Sequence, residues 1–298
     1  MFRRMSVIVL SVVLAALAGC TSNDPFSANS TSAQTIVVGS QDYYSNEIIA
    51  EIYAQALEGQ GWDVDRQFRI GQREIYLPEI EAGGIDLFPE YSGPLLQYWE
   101  PDTTARLGDD VYAELKKVVP SGLHVLDQAE ATDQDSYVVT QAFADQWGLK
   151  TIADLAKVTT PLVMGANSEA QNRPNGPQGL LNTYGVEASF TPIEDGGGPL
   201  TVKALQDDEI QIAIIYTADP SIAADNLVSL EDTKGLFLSS HVVPLASDKI
   251  TDEAAATINK VSAALSSADL IALNTRSVTD QLPASTIARD WLAQKNLS

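Results

Sequence analysis

Leu126-Asp127-Gln128-Ala129-Glu130-Ala131-Thr132-Asp133-Gln134-Asp135-Ser136-Tyr137-Val138-Val139-Thr140 decides how this chain is read. The stretch leaves an apolar run, crosses about ten polar and small residues, and re-enters a strand pattern at Tyr137-Val138-Val139. An unpaired carboxylate is too costly to bury in an ordinary core. Asp133 and Asp135 therefore point to a cleft or a hinge, and the stretch reads as a crossing between two lobes. Ligand pockets favour domain interfaces, so a tyrosine where the crossing meets the second lobe is a natural wall for an interlobe site. The same residues also fit a polar loop before an ordinary strand.

Outward from the crossing, strands and helices alternate on both sides. Thr35 to Gly39 reads as a buried strand, and Gln41 to Tyr44 as the loop after it. A helix follows with Ile48, Ile49, Ile52, Tyr53 and Leu57 at helical spacing. Trp62 to Ile70 suggests a second strand, Arg73 to Ala82 a helix closed by Gly83-Gly84, and Ile85 to Phe88 a strand running into Pro89-Glu90-Tyr91-Ser92-Gly93. Val111 to Val118 reads as a helix and Leu123 to Leu126 as the strand entering the crossing. Beyond Tyr137 come helices at 141–147 and 152–158, a strand at 162–165, a helix at 176–184, and a strand at 188–193. The turn Gly196-Gly197-Gly198-Pro199 opens a helix to Gln206, and Ile210 to Ile215 forms a strongly apolar strand ending at Tyr216. Val242 to Leu245 returns the chain to the first lobe, and three amphipathic helices finish it. Open α/β sheets bind ligands at the carboxyl ends of their strands. This makes Gln41 a plausible contact and directs Tyr91, Tyr137 and Tyr216 to one cleft.

The chain has 298 residues, enough for two domains, and 45% of them are hydrophobic. Its formal charge of −22 argues against nucleic acid as a partner, since phosphate binding needs clustered Lys and Arg. His124 and His241 are far apart and have no metal-ligand spacing, so no metal or other cofactor is expected. There is no Gly-x-Ser-x-Gly elbow and no HExxH. A carboxylate pair, drawn from residues such as Asp133, Asp135, Asp195 and Asp219, is the one catalytic constellation the composition leaves open. Several electron-rich rings around a quaternary ammonium attract it without having to replace hydrogen bonds, because such an ion donates none.

At the N-terminus, Arg3 and Arg4 precede an apolar run from Val7 to Leu17 and then Ala18-Gly19-Cys20. This is the pattern of a secretory signal, and the run is too short for a membrane span. Leu17-Ala18-Gly19-Cys20 resembles the lipobox of bacterial lipoproteins, with Cys20 as the lipidated first residue. Cys20 is the chain's sole cysteine, so an internal disulfide is excluded. Residues 21–34 read as a flexible tether.

The runs Gly71-Gln72-Arg73-Glu74, Gly84-Ile85-Asp86-Leu87 with Pro89 to Gly93, Ala131 to Val139, Arg173 with Asn175-Gly176 and Gly179-Leu180, Gly197-Gly198-Pro199 with Thr201, and Tyr216-Thr217 with Asp219-Pro220 carry a resemblance. In order and without large gaps, they look like the substrate-binding proteins of ABC importers for glycine betaine, choline and carnitine. The resemblance implies an α/β, two-lobed, type II periplasmic-binding-protein fold. Each lobe would hold a mixed, mostly parallel sheet flanked by helices, with two interlobe crossovers. The expected division is signal peptide 1–19, lipidated tether 20–34, lobe one 35–135 with 240–298, and lobe two 136–239. The resemblance also implies a non-enzymatic, lipid-anchored protein on the extracytoplasmic face of the membrane, delivering a quaternary-ammonium solute to ABC permease subunits. Tyr91, Tyr137 and Tyr216 would wall an aromatic cage bordered by Asp135, and Arg173 and Gln41 would meet the ligand's carboxylate or hydroxyl end. Two positions depart from the family pattern: Pro94 stands where many relatives have a threonine, and Ser240 near where a fourth tyrosine is often found. A same-fold surface lipoprotein binding another small molecule, and a secreted carboxylate-dependent hydrolase, are the alternative readings.

Overall fold

The structure is a computed structural model that describes residues 35–297, so the expected leader, Cys20 and the tether lie outside the described residues. Lobe one is built on a five-stranded sheet in the order β2-β1-β3-β10-β4, from β1 (Ile36–Gly39), β2 (Val64–Gln67), β3 (Leu87–Tyr91), β4 (Leu123–Val125) and β10 (Val242–Ser247). Strand β1 runs parallel to β2 and β3, while β10 is antiparallel to β3 and β4. The second lobe repeats the plan in the order β7-β6-β8-β5-β9. Its strands are β5 (Asp135–Thr140), β6 (Val163–Ala166), β7 (Ser189–Pro192), β8 (Ile212–Tyr216) and β9 (Leu227–Ser229), with β5 as the antiparallel member. In each lobe the antiparallel strand is the one that has just crossed from the other lobe. The expected two-lobed fold with mixed sheets is what the chain forms.

Both faces of each sheet are covered, which accounts for the near-continuous apolar strands. On β10, Val242 and Ala246 face a core shared with α1 (Tyr44–Gly59), α9 (Asp252–Ala264), α10 (Ser267–Val278) and α11 (Ala284–Lys295). Val243 and Leu245 face the opposite core with α2 (Arg73–Glu81), α3 (Ser92–Trp99) and α4 (Gly108–Val118). The second sheet is sandwiched in the same way. Among its helices, α5 (Gln141–Trp147) and α6 (Pro177–Tyr184) lie on one face and α7 (Pro199–Gln206) on the other, and the single turn α8 (Ser221–Ala224) precedes β9. The three C-terminal helices pack on lobe one, mainly around α1.

Three local readings change. Helix α3, absent from the sequence reading, begins directly at Ser92, and Pro94 fits its first turn because it needs no intrahelical N–H there. Strand β9, only three residues long, is too short for a periodicity signal. Strand β5 begins at Asp135, two residues before Tyr137, because Asp135 pairs directly with Tyr216.

Lobe one carries a buried ion pair beneath the cleft. Arg73, at the start of α2, donates from Nε and Nη2 to the two carboxylate oxygens of Glu90 on β3, at 2.8 and 2.9 Å. Tyr76 Oη and the Tyr91 amide donate to the same carboxylate, and Glu90 is fully buried. Removing one partner from such a pair leaves an uncompensated charge. Arg73→Met should therefore cost about 3–5 kcal/mol, read as a lowered urea midpoint. Lys117→Met, which breaks only the exposed pair with Glu114, should change stability by less than about 1 kcal/mol.

Candidate functional site

Two adjacent segments join the lobes. The outgoing one runs from β4 to β5, and the returning one reaches β10. They bond side by side: Val242 N donates to Ala131 O at 3.0 Å and Asp133 N to Ser240 O at 3.2 Å, with a bridge between Thr132 and His241. At the second lobe's mouth, Thr217 N donates to Gln134 O and the Gln134 amide donates to Thr217 Oγ1. Asp133 and Asp135 sit in the middle of this ribbon.

The cleft opens beside it. One cavity of about 170 Å³ is lined by Arg73, Glu74, Pro94, Asp135, Arg173 and Asn175 among others, and an adjoining recess shares Asp135, Arg173 and Asn175 and reaches Tyr216 and Gln72. The segment bearing Arg173 and Asn175 is held tight by two glycines that admit no side chain. A Cβ at Gly176 would lie 2.0 Å from Ala170 O, and one at Gly179 would lie 1.7 Å from Pro174 O.

Tyr216 and Tyr91 are brought together, and a third ring joins them. Tyr43, in the loop after β1, stacks on Tyr216 with centroids 4.9 Å apart and planes 20° apart. Tyr43 belongs to the same loop as Gln41, at the carboxyl end of a strand, so the rule that selects Tyr91 and Tyr216 could have found it. The Tyr43 and Tyr91 hydroxyls are near neighbours but lack hydrogen-bond partners, as do Gln41 Nε2, Ser45 Oγ and Asp133 Oδ2, all on buried residues. Buried polar groups are nearly always paired. Five unpaired polar atoms fall together here, at the crossing between the lobes.

Tyr137 is a correction. It is fully buried in the second lobe's core, edge-on to Phe237 at 5.0 Å, and its hydroxyl donates to Asn175 O at 2.9 Å. Because β5 starts at Asp135, Tyr137 lies two residues inside the lobe, roughly 7 Å from the crossing. Its ring faces the core. It acts through Asn175, whose Nδ2 donates to Asp135 Oδ2 at 2.9 Å.

Arg173 does line the cleft, but its guanidinium is engaged. Nε and Nη2 donate to the Glu74 carboxylate at 3.0 and 2.9 Å, and Nη2 also donates to Gln72 Oε1 at 3.3 Å. This clasps lobe two to lobe one. A second clasp is Tyr44 Oη donating to Asp219 Oδ2 at 2.6 Å, and the Tyr43–Tyr216 stack is a third. Asp195 caps α7, accepting from the Leu200 and Thr201 amides, so the glycine turn before that helix serves its own N-terminus. His124 pairs with Asp248 at the surface, and His241 Nδ1 meets Ala129 O at 3.0 Å in the ribbon. Among the described residues no cluster of acidic, histidine or cysteine side chains could hold a metal, and no helix is long and apolar enough to cross a membrane.

Burial raises the Asp133 carboxyl from 3.8 to about 8, helped by Asp219 and Asp135 and opposed by the Ala218 amide, which donates to Oδ1 at 2.9 Å. Burial also raises Asp135, opposed by Arg173, Arg73 and Asn175. Asp133 is within electrostatic reach of the hydroxyls of Tyr43, Tyr44, Tyr91 and Tyr216, which its ionised form helps to keep protonated.

A two-lobed fold with a cleft between the lobes is the architecture of a solute-binding protein, and similarity to known proteins says of which kind. Residues 34–294 match the family described as the substrate-binding domain of the ABC-type glycine betaine transport system. The chain belongs to that family and is thus a substrate-binding component of an ABC transport system. It is 24% identical over 278 residues to the glycine betaine-binding protein YehZ of Escherichia coli K12, covering 88% of this chain and 91% of that one. It is also 24% identical over 281 residues to the carnitine transport binding protein OpuCC of Listeria monocytogenes, covering 89% and 88%. The crystal structure titled glycine betaine/carnitine/choline ABC transporter shares the fold, with a TM-score of 0.70 at 20% identity, covering 88% of this chain and 99% of that one.

Asp133 gives a signed prediction. In the folded protein its carboxyl keeps a proton until about pH 8, whereas in the unfolded chain it loses it near 3.8. Between those values the folded state binds the additional proton, so this group's contribution to stability falls as pH rises. Asp133→Asn should remove the fall, and its Tm advantage over the unmodified protein should widen from pH 5 to pH 8 and then level off. A gap that is constant with pH would show that Asp133 ionises normally. Tyr137→Phe, which strands the Asn175 carbonyl, should cost about 1–3 kcal/mol in urea unfolding.

Proposed function

We propose that this chain is a non-enzymatic, extracytoplasmic binding protein that captures a quaternary-ammonium osmolyte of the glycine betaine, choline or carnitine class and delivers it to the permease subunits of an ABC importer. The observation that carries the reading is the aromatic patch of Tyr216, Tyr43 and Tyr91 beside two buried or half-buried aspartates at the interlobe crossing. Ring faces attract a trimethylammonium group, and lobe closure removes water, so the attraction acts at low effective dielectric. Asp135 borders this patch, and Gln41 and Arg173 are the polar groups at its edges. The names of the relatives favour the same ligand class, although Pro94 and Ser240 depart from the family pattern. Ser240 is buried, and its hydroxyl lacks a partner.

The reading extends to the N-terminus. Residues 1–19 act as a signal peptide, Cys20 takes the lipid, and residues 20–34 tether lobe one (35–135 and 240–298) and lobe two (136–239) to the membrane surface. Two or more acyl chains on that cysteine would hold the protein there stably.

Calorimetry with choline, glycine betaine and carnitine tests the ligand class. Tyr216→Ala should weaken binding about tenfold, and Tyr216→Phe should stay within about threefold, because the ring face carries the attraction. If Phe were as damaging as Ala, the hydroxyl would be the working group and the aromatic reading would fail. If none of the three solutes bound, the ligand assignment would fall.

A further inference from the structure

The charges of the cleft do not balance. Both arginines that line it are matched by a carboxylate within the protein: Arg73 by Glu90, bidentate and buried, and Arg173 by Glu74, also bidentate. These two pairs are neutral as units. Asp135 and Asp133 are left over. Asp135 lines both cavities and is held only by the neutral Asn175 amide. Asp133, within electrostatic reach of the tyrosine hydroxyls, is held by a single backbone N–H and has Oδ2 unpaired at 2% exposure. Its other charged neighbour is Asp219, which is also acidic and is occupied by Tyr44 and Ser221. Pro94, in the cavity wall at the first turn of α3, has no N–H with which to receive an anion.

We propose, resting on the quaternary-ammonium reading above, that this site selects a monocation with a neutral or hydroxyl tail, of the choline type, over a zwitterion of the betaine type, and that Asp135 and Asp133 are the residues that set the preference. With Asp133 still protonated near neutrality, Asp135 is the one uncompensated charge, and a monocation matches it. A zwitterion brings a carboxylate that finds no unengaged donor of positive charge. To be received it would have to displace Glu74 from Arg173, breaking the clasp between the lobes, or rely on neutral donors such as Gln41 Nε2, leaving its charge uncompensated in a desolvated cleft, which is costly. Because Asp133 holds a proton near neutrality, arrival of a cation beside the rings favours its release. The groups facing it, Asp219, Asp135 and the hydroxyls of Tyr43, Tyr44, Tyr91 and Tyr216, include no cation that would already have released it.

The test is calorimetric titration of the full chain with choline, glycine betaine and 3,3-dimethyl-1-butanol, the uncharged isostere of choline, from pH 6 to pH 9. The expected result is that choline binds at least tenfold tighter than betaine, that the isostere does not bind measurably, and that choline affinity rises with pH. In Asp135→Asn the preference for choline over betaine should shrink at least fivefold. In Asp133→Asn the rise with pH should flatten. The second variant keeps an acceptor for the Ala218 amide and guards against a folding failure in the first. Betaine binding as tightly as choline, or the isostere binding like choline, would overturn the preference while leaving the broader ligand class or the aromatic patch standing. Absence of binding by all three would overturn both.

Discussion

The molecule depends on two crossing segments that hydrogen-bond to each other along the only route between the lobes seen among the described residues. A single connection would swivel, whereas a paired ribbon bends in one principal direction. Its pairing fixes which residues meet at the mouth of each lobe: Asp135 beside Tyr216 on one side, and Val242 beside Tyr91 on the other. The site is therefore a consequence of register. One residue of slip in either strand would turn its cleft-facing side chains to the opposite face of the sheet.

Much of this was legible from the residues because each lobe needs both faces of its sheet covered, and strands buried on both faces are written as continuous apolar runs. Residues 210–215 and 242–245 announce themselves in this way. The crossing was legible for the opposite reason, since Asp133 and Asp135 are out of place in a core. The depth of Tyr137 was not legible, because it turns on whether pairing begins at residue 135 or 137, and that is decided by the partner strand. Tyr43 was overlooked beside Gln41, and no periodicity marks a ring in a four-residue loop. The pairing of Arg173 with Glu74 joins residues 99 positions apart, beyond the reach of local pattern.

The acidic character of the whole chain and the local excess in the cleft act on different steps. The surface charge draws a cation from a distance and weakens with salt. In the proposed binding the buried aspartates act only after water has left, where screening is slight.

The three clasps across the cleft are made wholly from protein side chains, and two of them, Arg173–Glu74 and Tyr43–Tyr216, use residues that line the cleft itself. Each is worth on the order of 1 kcal/mol, so together they set how the lobes divide their time between apart and together. For a receptor whose lobes part and close, a solute's apparent affinity is the product of its own contacts and the resting ratio of the two states. Residues such as Glu74 and Asp219 thereby act as a gain control. Evolution can shift the concentration at which the receptor responds by adjusting the hinge's resting bias while leaving the chemistry of recognition as it is.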